Sequence, residues 1–146
     1  AATVAAMTPT LLCLGKKGVH CGPVPAGSMM KMAINLLLAT MLEGLSEMLR
    51  LGQRGGLETR TMLDVLLAGP LANALFKMKE EMFLSEVFPP QFPLKHMAKD
   101  LGFVAETATE LGATIPETLA CLEVFRQAMD MGLGDEDVAA VFKALA

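Results

Sequence analysis

The stretch SMMKMAINLLLATMLEGLSEMLRL, residues 28–51, is apolar at almost every turn and is followed by Gly52, Gly55 and Gly56. Ser28 is a favourable N-cap residue, and glycine is the residue that most often ends a helix. The stretch therefore predicts one helix of about 36 Å, at 1.5 Å per residue. Because a helix that is apolar on several faces must be covered by other helices, this segment predicts a bundle around itself.

Proline and glycine residues divide the rest of the chain into shorter predicted helices. They cover residues 57–67, 71–83, 93–111 and 116–131. Asp135 is the expected N-cap of a last helix that ends at Leu145. Ahead of the long helix, residues 2–14 predict a short helix and Lys17–Cys21 a brief strand. The predicted fold class is all-α, a helical bundle around one long central helix with a short N-terminal helix and strand.

The charge and the cysteine pattern argue against two classes of function. The chain has a net charge of −4, and its Lys and Arg residues are scattered, so we expect no nucleic-acid partner. The three cysteines, Cys13, Cys21 and Cys121, are far apart and form no CxxC pair. With only two histidines in the chain, the sequence predicts neither a disulfide framework nor a metal site.

The apolar residues predict a soluble protein with a partner surface. The longest apolar run, Met32–Leu42, is interrupted by Asn35 and is shorter than the roughly 18 residues of a membrane span, so we expect no membrane insertion. The N-terminus lacks the basic region of a signal peptide, and the unpaired cysteines suit a reducing cytoplasm. Because 53% of the residues are hydrophobic, some apolar surface is expected to meet another protein.

Lys31 and Asn35 are polar exceptions in the first turns of the long helix, and their i, i+4 spacing places them on one face. In a structural interpretation, the lysine reaches solvent and the asparagine satisfies a backbone group. In a functional interpretation, the helix dipole and apolar neighbours destabilise the ammonium form and lower the pKa of Lys31 toward neutrality. Such a lysine suits general acid/base catalysis, and the amide of Asn35 suits holding a substrate hydroxyl.

The second polar group lies in the segment FPPQFPLKHMAKDL, residues 88–101. Lys99 and Asp100 are adjacent charges in a mostly apolar helix, and Phe92 precedes that helix. These residues either form a solvated charge pair or line a cleft beside an aromatic ring. His96 and Asp100, at i and i+4, could form a dyad, although the sequence ties no nucleophile to them.

Three motifs together resemble one enzyme family. The segment GPVPAGSMMKMAIN, residues 22–35, is similar to the GxGxxxKxxxN pattern with which β-hydroxyacid dehydrogenases begin their helical domain. These enzymes are the 3-hydroxyisobutyrate dehydrogenase-like relatives of 6-phosphogluconate dehydrogenase. Residues 88–106 resemble the family's F-x-x-KDL segment, and residues 131–145 its closing G-x-G-D-x-D helix, in the family's order and spacing. Pro25 stands where the pattern has its first glycine.

The resemblance implies a role for each matching residue. Lys31 is the implied catalytic acid/base, and Asn35 and Asp100 are implied to act at the substrate, with Asp100 orienting the lysine. Lys99 is implied to approach the dinucleotide, and Phe92 to lie near the nicotinamide. The implied reaction passes hydride between NAD or NADP and the β-carbon of a short hydroxy acid.

The resemblance also implies how the chain is divided. Residues 1–22 correspond to the end of a Rossmann NAD(P)-binding domain, and residues 23–146 to the helical catalytic and dimerisation domain. The rest of the nucleotide-binding domain, with its GxGxxG loop, is not within these 146 residues, so the chain alone is expected to be inactive. The family associates as homo-oligomers, dimers or tetramers. Two alternatives stay open: an imine reductase-like sibling on the same fold, and a non-catalytic helical dimerisation module.

Overall fold

The computed structural model describes residues 2–146, and Ala1, the first residue of the predicted 1–22 segment, lies outside the described residues. Its six α-helices and two 3₁₀ helices follow one another in the order α1 Ala2–Leu11, α2 Ala26–Arg54, α3 Thr59–Ala68, α4 Ala74–Ser85, α5 Leu94–Leu111, α6 Pro116–Asp130, then Leu133–Asp135 and Val138–Leu145. Residues 2–146 contain no β-strand, only an isolated antiparallel bridge between Pro93 and Asp137. The prediction of an all-α fold is confirmed.

The core surrounds the C-terminal half of α2. This half buries Ala39, Leu42, Leu45 and Leu49 and packs against α3, α5, α6 and the terminal 3₁₀ helix, Val138–Leu145. Three phenylalanine rings pack together between α4, the following loop and the terminal helix. Phe83 makes edge-to-face contacts with Phe142 and with Phe88, at 5.5 Å and 6.0 Å between ring centroids. Such aromatic pairs add to the stability that comes from burial.

The N-terminal half of α2 is much less covered than the C-terminal half. Met29, Met30, Ile34 and Leu37 are all exposed, as are Val4, Met7 and Leu11 of α1. Of the described helices, only α2 is long and apolar enough to meet the length and composition criterion for a membrane span. This was not expected from the sequence, because only the interrupted apolar run Met32–Leu42 was considered there. Core helices of water-soluble proteins meet the same criterion.

The predicted strand at Lys17–Cys21 is wrong. Residues 12–25 form turns and irregular chain, because a strand needs a neighbour for its backbone hydrogen bonds and residues 2–146 offer it none. Asp135 is also not the cap of the terminal helix. Asp137 takes that position and accepts a hydrogen bond from the Ala139 backbone N–H, because Leu133–Asp135 form a separate 3₁₀ turn.

Both ends of α2 differ from the prediction. The helix begins at Ala26, with Pro25 rather than Ser28 at the N-cap position, and it continues through Gly52 to Arg54. A Cβ atom at Gly52 would lie 2.0 Å from Sδ of Met62. The glycine therefore lets α3 approach α2 closely instead of ending the helix.

Three carboxylates, those of Glu43, Glu47 and Glu117, lie together where α2 packs on α6, beside the buried thiol of Cys121. Burial raises the pKa of Glu43 to about 7, and Glu47 and Glu117 add to the rise. Burial and the same three carboxylates raise the pKa of the Cys121 thiol to about 12. The thiol is therefore a packing group at neutral pH, and the acidic residues repel one another.

We expect the substitution Glu43→Gln to stabilise the chain at pH 8 and to have little effect at pH 5. The raised pKa means that the folded chain keeps a proton that the unfolded chain releases between pH 4.5 and about 7, so stability falls as pH rises through this window. For this half-buried group, solvent screening reduces the expected gain at pH 8 to about 1 kcal/mol.

Urea unfolding of the wild-type chain and of the Glu43→Gln variant, each at pH 5 and pH 8, measures this effect. Glu110→Gln, near the exposed end of α5, is the matched control and should show no such pH dependence. An equal change in stability at both pH values would show that ionisation of the buried Glu43 carboxylate is not its cause.

Candidate active site

The carboxylate of Asp100 joins α5 to the exposed half of α2. Its Oδ2 atom accepts hydrogen bonds from Nζ of Lys31 and from Nδ2 of Asn35, each at 2.8 Å. On its other side, Nζ of Lys99 lies 3.6 Å from Oδ1. The structure thus brings together four of the five residues that the sequence singled out, although Lys31 and Asp100 are 69 residues apart.

Local helix geometry explains why Lys31 and Asn35 reach one atom. Residues four apart on a helix lie one above the other, so both side chains leave the same face of α2. α5 packs against α2, and Asp100 belongs to the buried stripe of α5, with Met97, Leu101 and Val104. A carboxylate in an apolar stripe needs donors, and α2 supplies two of them.

The electrostatics of the site are dominated by Asp100, whose side chain is 8% exposed. Burial raises its pKa, but the hydrogen bond and charge of Lys31, the charge of Lys99 and the hydrogen bond of Asn35 outweigh burial. The pKa of Asp100 is therefore held below its ordinary value. The carboxylate stays ionised at neutral pH and acts as a fixed negative charge beside two ammonium groups.

The expected desolvation of Lys31 is not found. Its side chain is 65% exposed, and its ammonium group is paired with a carboxylate rather than surrounded by apolar side chains. The apolar residues next to Lys31 in the sequence suggested that its ammonium group would be desolvated. In the structure, the neighbouring side chains, including Met30 and Ile34, are themselves exposed and do not cover it. The lysine is accessible to a ligand and is oriented by Asp100.

Lys99 and Phe92 both precede Asp100, Lys99 directly before it in α5 and Phe92 in the loop ahead of that helix. The Lys99 side chain is 59% exposed, and its Nζ lies 5.8 Å from the centroid of the exposed Phe103 ring. Phe92, half-buried in the loop before α5, stacks on the ring of His96 at 6.3 Å between centroids. The hydrogen-bond and ion-pair partners of Asp100 among residues 2–146 do not include Phe92, so this ring is not part of the cluster.

The proposed dyad of His96 and Asp100 is not formed. Within the part of the chain that the structure describes, the hydrogen-bond and ion-pair partners of Asp100 are Lys31, Asn35 and Lys99. The i, i+4 spacing of His96 and Asp100 did not bring their side chains into contact, because the His96 ring stacks on Phe92 instead. Residues 2–146 also contain no group of three or more His, Cys, Asp or Glu side chains placed to hold a metal ion.

A fully buried ion pair, Lys79 with Asp137, is a feature that the sequence analysis missed. Nζ of Lys79 lies 2.7 Å from Oδ1 of Asp137, and the two side chains are 4% and 0% exposed. The signal was present in α4, where Lys79 lies three residues after Phe76 and three before Met82, on the apolar stripe. A lysine at a core position predicts a buried partner, because an unpaired buried charge is costly.

The site can bind an anionic or hydroxyl-bearing ligand and exchange a proton with it. The accessible ammonium of Lys31 can give a proton to a nearby oxygen atom, and Asp100 fixes its direction. Lys99 adds a second exposed positive charge within 3.6 Å of the same carboxylate, which suits a phosphate-bearing cofactor. The full 146 residues contain no GxGxxG loop, so these side chains could contribute only part of a dinucleotide site.

Comparison with known proteins gives a consistent result. A family model described as NAD-binding of NADP-dependent 3-hydroxyisobutyrate dehydrogenase matches residues 25–145. The chain is 36% identical over 137 residues to glyoxylate/succinic semialdehyde reductase 1 of Arabidopsis thaliana, covering 94% of this chain and 47% of the relative. It is 32% identical to the cytokine-like nuclear factor N-PAC of Aedes aegypti, covering 88% of this chain and 23% of the relative.

A solved structure of the same family has a similar fold. The crystal structure of 3-hydroxyisobutyrate dehydrogenase from Salmonella typhimurium matches with a TM-score of 0.89 at 27% identity, over 96% of this chain and 50% of that one. The chain therefore spans half or less of the length of these relatives. The resemblance and the cofactor class, NAD or NADP, that the sequence motifs predicted are confirmed. This chain belongs to the 3-hydroxyisobutyrate dehydrogenase family, because the family model that matches residues 25–145 is described as NAD-binding of NADP-dependent 3-hydroxyisobutyrate dehydrogenase.

Proposed function

We propose that residues 23–146 are the helical domain, built around α2, of an NAD(P)-dependent β-hydroxyacid dehydrogenase, and that residues 1–22 are the end of its Rossmann domain. The intact enzyme would transfer hydride between NAD(P) and a short β-hydroxy acid or the matching semialdehyde. The observation that carries this proposal is the Lys31–Asp100–Asn35 cluster, an accessible ammonium held on a buried carboxylate. The exposed apolar residues of α1 support its assignment to a different domain.

In this proposal Lys31 is the general acid/base. When the hydroxy acid is oxidised, the lysine takes the hydroxyl proton, and in the reverse direction it protonates the carbonyl oxygen. Bound NAD(P) supplies the hydride acceptor or donor. Because the ammonium is held on Asp100 in the structure, the geometry is already suited to reduction of an aldehyde.

Asn35 and Asp100 position the reacting groups at the substrate. Asp100 fixes the direction of the Lys31 ammonium group, and Nδ2 of Asn35 donates a hydrogen bond to the same carboxylate. The Asn35 amide oxygen accepts none of the hydrogen bonds found among residues 2–146 and can accept one from a substrate hydroxyl. Lys99 and Phe92 are proposed to contact the dinucleotide through charge and ring stacking, respectively.

Two alternatives have different expectations. A non-catalytic helical module has some support, because the related N-PAC protein is named a nuclear factor rather than a dehydrogenase. In that case Lys31 would be only tolerated. An imine reductase-like sibling is disfavoured, because that branch usually lacks the lysine, whereas here Lys31 is oriented by Asp100.

The proposed assembly is a homo-oligomer, a dimer or tetramer, formed through the helical domain in the cytoplasm. The exposed apolar side chains of Met29, Met30, Ile34 and Leu37 support an association surface on α2. The unpaired cysteines, Cys13, Cys21 and Cys121, support a reducing compartment.

The test is turnover of the intact gene product that carries this chain. We expect NADPH or NADH oxidation with glyoxylate or succinic semialdehyde, or the reverse reaction with 3-hydroxyisobutyrate, followed by absorbance at the nicotinamide band. The same assay with a cyclic imine separates the sibling chemistry. An intact product that binds neither dinucleotide and turns over none of these compounds would overturn the dehydrogenase proposal and favour the non-catalytic module.

A further inference from the structure

We propose that Asp137 is a positioning residue for the dinucleotide side of the site, acting through the loop of residues 88–93, here called the anchor loop. This inference rests on the proposed function, because it concerns the place of Phe92, which is proposed to contact the dinucleotide. Asp137 itself lies in the turn before the terminal 3₁₀ helix and is 0% exposed, so it reaches a ligand only through the loop it holds.

The two carboxylate oxygens of Asp137 are fully used by the surrounding chain. Oδ2 accepts hydrogen bonds from the backbone N–H groups of Gln91 and Phe92, at 2.9 and 3.1 Å. Oδ1 accepts one from the backbone N–H of Ala139 at 3.1 Å and pairs with Lys79 at 2.7 Å. Nζ of Lys79 in turn donates to the side-chain oxygen of Gln91 at 2.9 Å.

Backbone hydrogen bonds reinforce the same junction. The N–H of Asp137 donates to the carbonyl of Phe88 at 3.0 Å, and that of Val138 donates to the carbonyl of Phe92 at 2.8 Å. The N–H of Leu94, the first residue of α5, donates to the carbonyl of Glu136 at 2.9 Å. Backbone hydrogen bonds therefore hold the anchor loop and the start of α5 against the turn that contains Asp137.

The ion pair is better explained by geometry than by stability. Replacing a buried ion pair by apolar residues of similar volume is often neutral for stability, so folding alone does not require Lys79 and Asp137. An apolar pair could not bind two consecutive backbone N–H groups. Because those two groups converge on one oxygen, the backbone at Gln91 and Phe92 has a fixed orientation, and the Phe92 ring carried by this backbone stacks on His96.

The test compares Asp137→Asn with the double variant Lys79→Met/Asp137→Asn in the intact gene product. The double variant removes the unpaired buried ammonium, which protects folding, but the amide still offers Gln91 and Phe92 only a weaker acceptor than a carboxylate. We expect the KM for the dinucleotide to rise about tenfold in both variants while the KM for the hydroxy acid changes less than about twofold. Loss of folded protein alone would lower the apparent kcat and leave both KM values unchanged.

A measurement on the 146-residue chain tests the anchor without any turnover. In wild-type protein the Gln91 and Phe92 amide protons should exchange slowly and resonate downfield, and in the double variant, with its weaker acceptor, exchange should be faster and the downfield shift smaller. Unchanged exchange at these amides, or an unchanged dinucleotide KM in a folded double variant, would overturn the positioning role. Wild-type protein without dehydrogenase turnover would instead overturn the proposed function, and with it any role at a dinucleotide, while the exchange result would still report whether the anchor exists.

Discussion

Substituting Lys31 with alanine in the intact gene product should lower kcat by about 10³-fold, because a positioned general acid/base contributes roughly 10²–10⁴ to the rate. The lysine is the proposed proton donor and acceptor, and its ammonium lies 2.8 Å from the carboxylate that orients it. The fold should persist, because the Lys31 side chain is 65% exposed and Asn35 and Lys99 still contact the Asp100 carboxylate. Steady-state kinetics over a range of pH, with circular dichroism as a check on folding, measure the effect.

The matched control for Lys31 is Lys95→Ala. Lys95 is also a partly exposed lysine in an ion pair, with 2.6 Å between its Nζ and Oδ1 of Asp135, but none of the hydrogen bonds or ion pairs found among residues 2–146 joins it to Lys31 or Asp100. This control should retain wild-type kcat. If Lys31→Ala retained it as well, Lys31 would not be the acid/base, and the non-catalytic module would become the better account of the helical domain.

Substituting Asp137 with alanine should lower the free energy of unfolding of the chain by about 4 kcal/mol, the range typical of breaking a buried ion pair. The variant leaves the Lys79 ammonium, which is 4% exposed, without its carboxylate, and it removes the acceptor of three backbone N–H groups. Urea unfolding at pH 7, followed by circular dichroism, measures the loss. Asp135→Ala is the control: that side chain is 89% exposed in its ion pair with Lys95, and the unfolding midpoint should barely move.

The pH dependence of the same pair provides a second check. Burial raises the pKa of Asp137, but the Lys79 hydrogen bond and the backbone N–H groups of Ala139, Phe92 and Gln91 outweigh it, so the pKa is lowered from 3.8. A lowered pKa means that the carboxylate stabilises the fold above the unfolded-state pKa and that this stability is lost as pH falls through the folded-state value. The difference between wild type and Asp137→Ala should therefore shrink in acid. A difference that stayed constant down to pH 2 would show that cavity formation, not charge, causes the loss.

Two kinds of information made the site partly predictable. The i, i+4 spacing of Lys31 and Asn35 is a local property of a helix, so the sequence alone placed them on one face. Their partner Asp100 was named from the family resemblance, and the structure shows the contact at 2.8 Å. The catalytic and binding roles of these residues stay predictions. The accessibility of Lys31 was misjudged, because an apolar neighbour in sequence need not cover a side chain in space.

The sequence by itself determined the helical character of the chain, most helix positions and the polar face of α2, because these depend on residues within a few turns of one another and on proline and glycine. Only the tertiary structure decided that residues 17–21 form no strand, that α2 passes through Gly52 and that Lys79 pairs with Asp137. Each of these depends on a partner distant in sequence: a neighbouring strand, the Met62 side chain, or a carboxylate on another element. The helix-packing geometry that brings such partners together is set by the whole core, and no short stretch of sequence contains it.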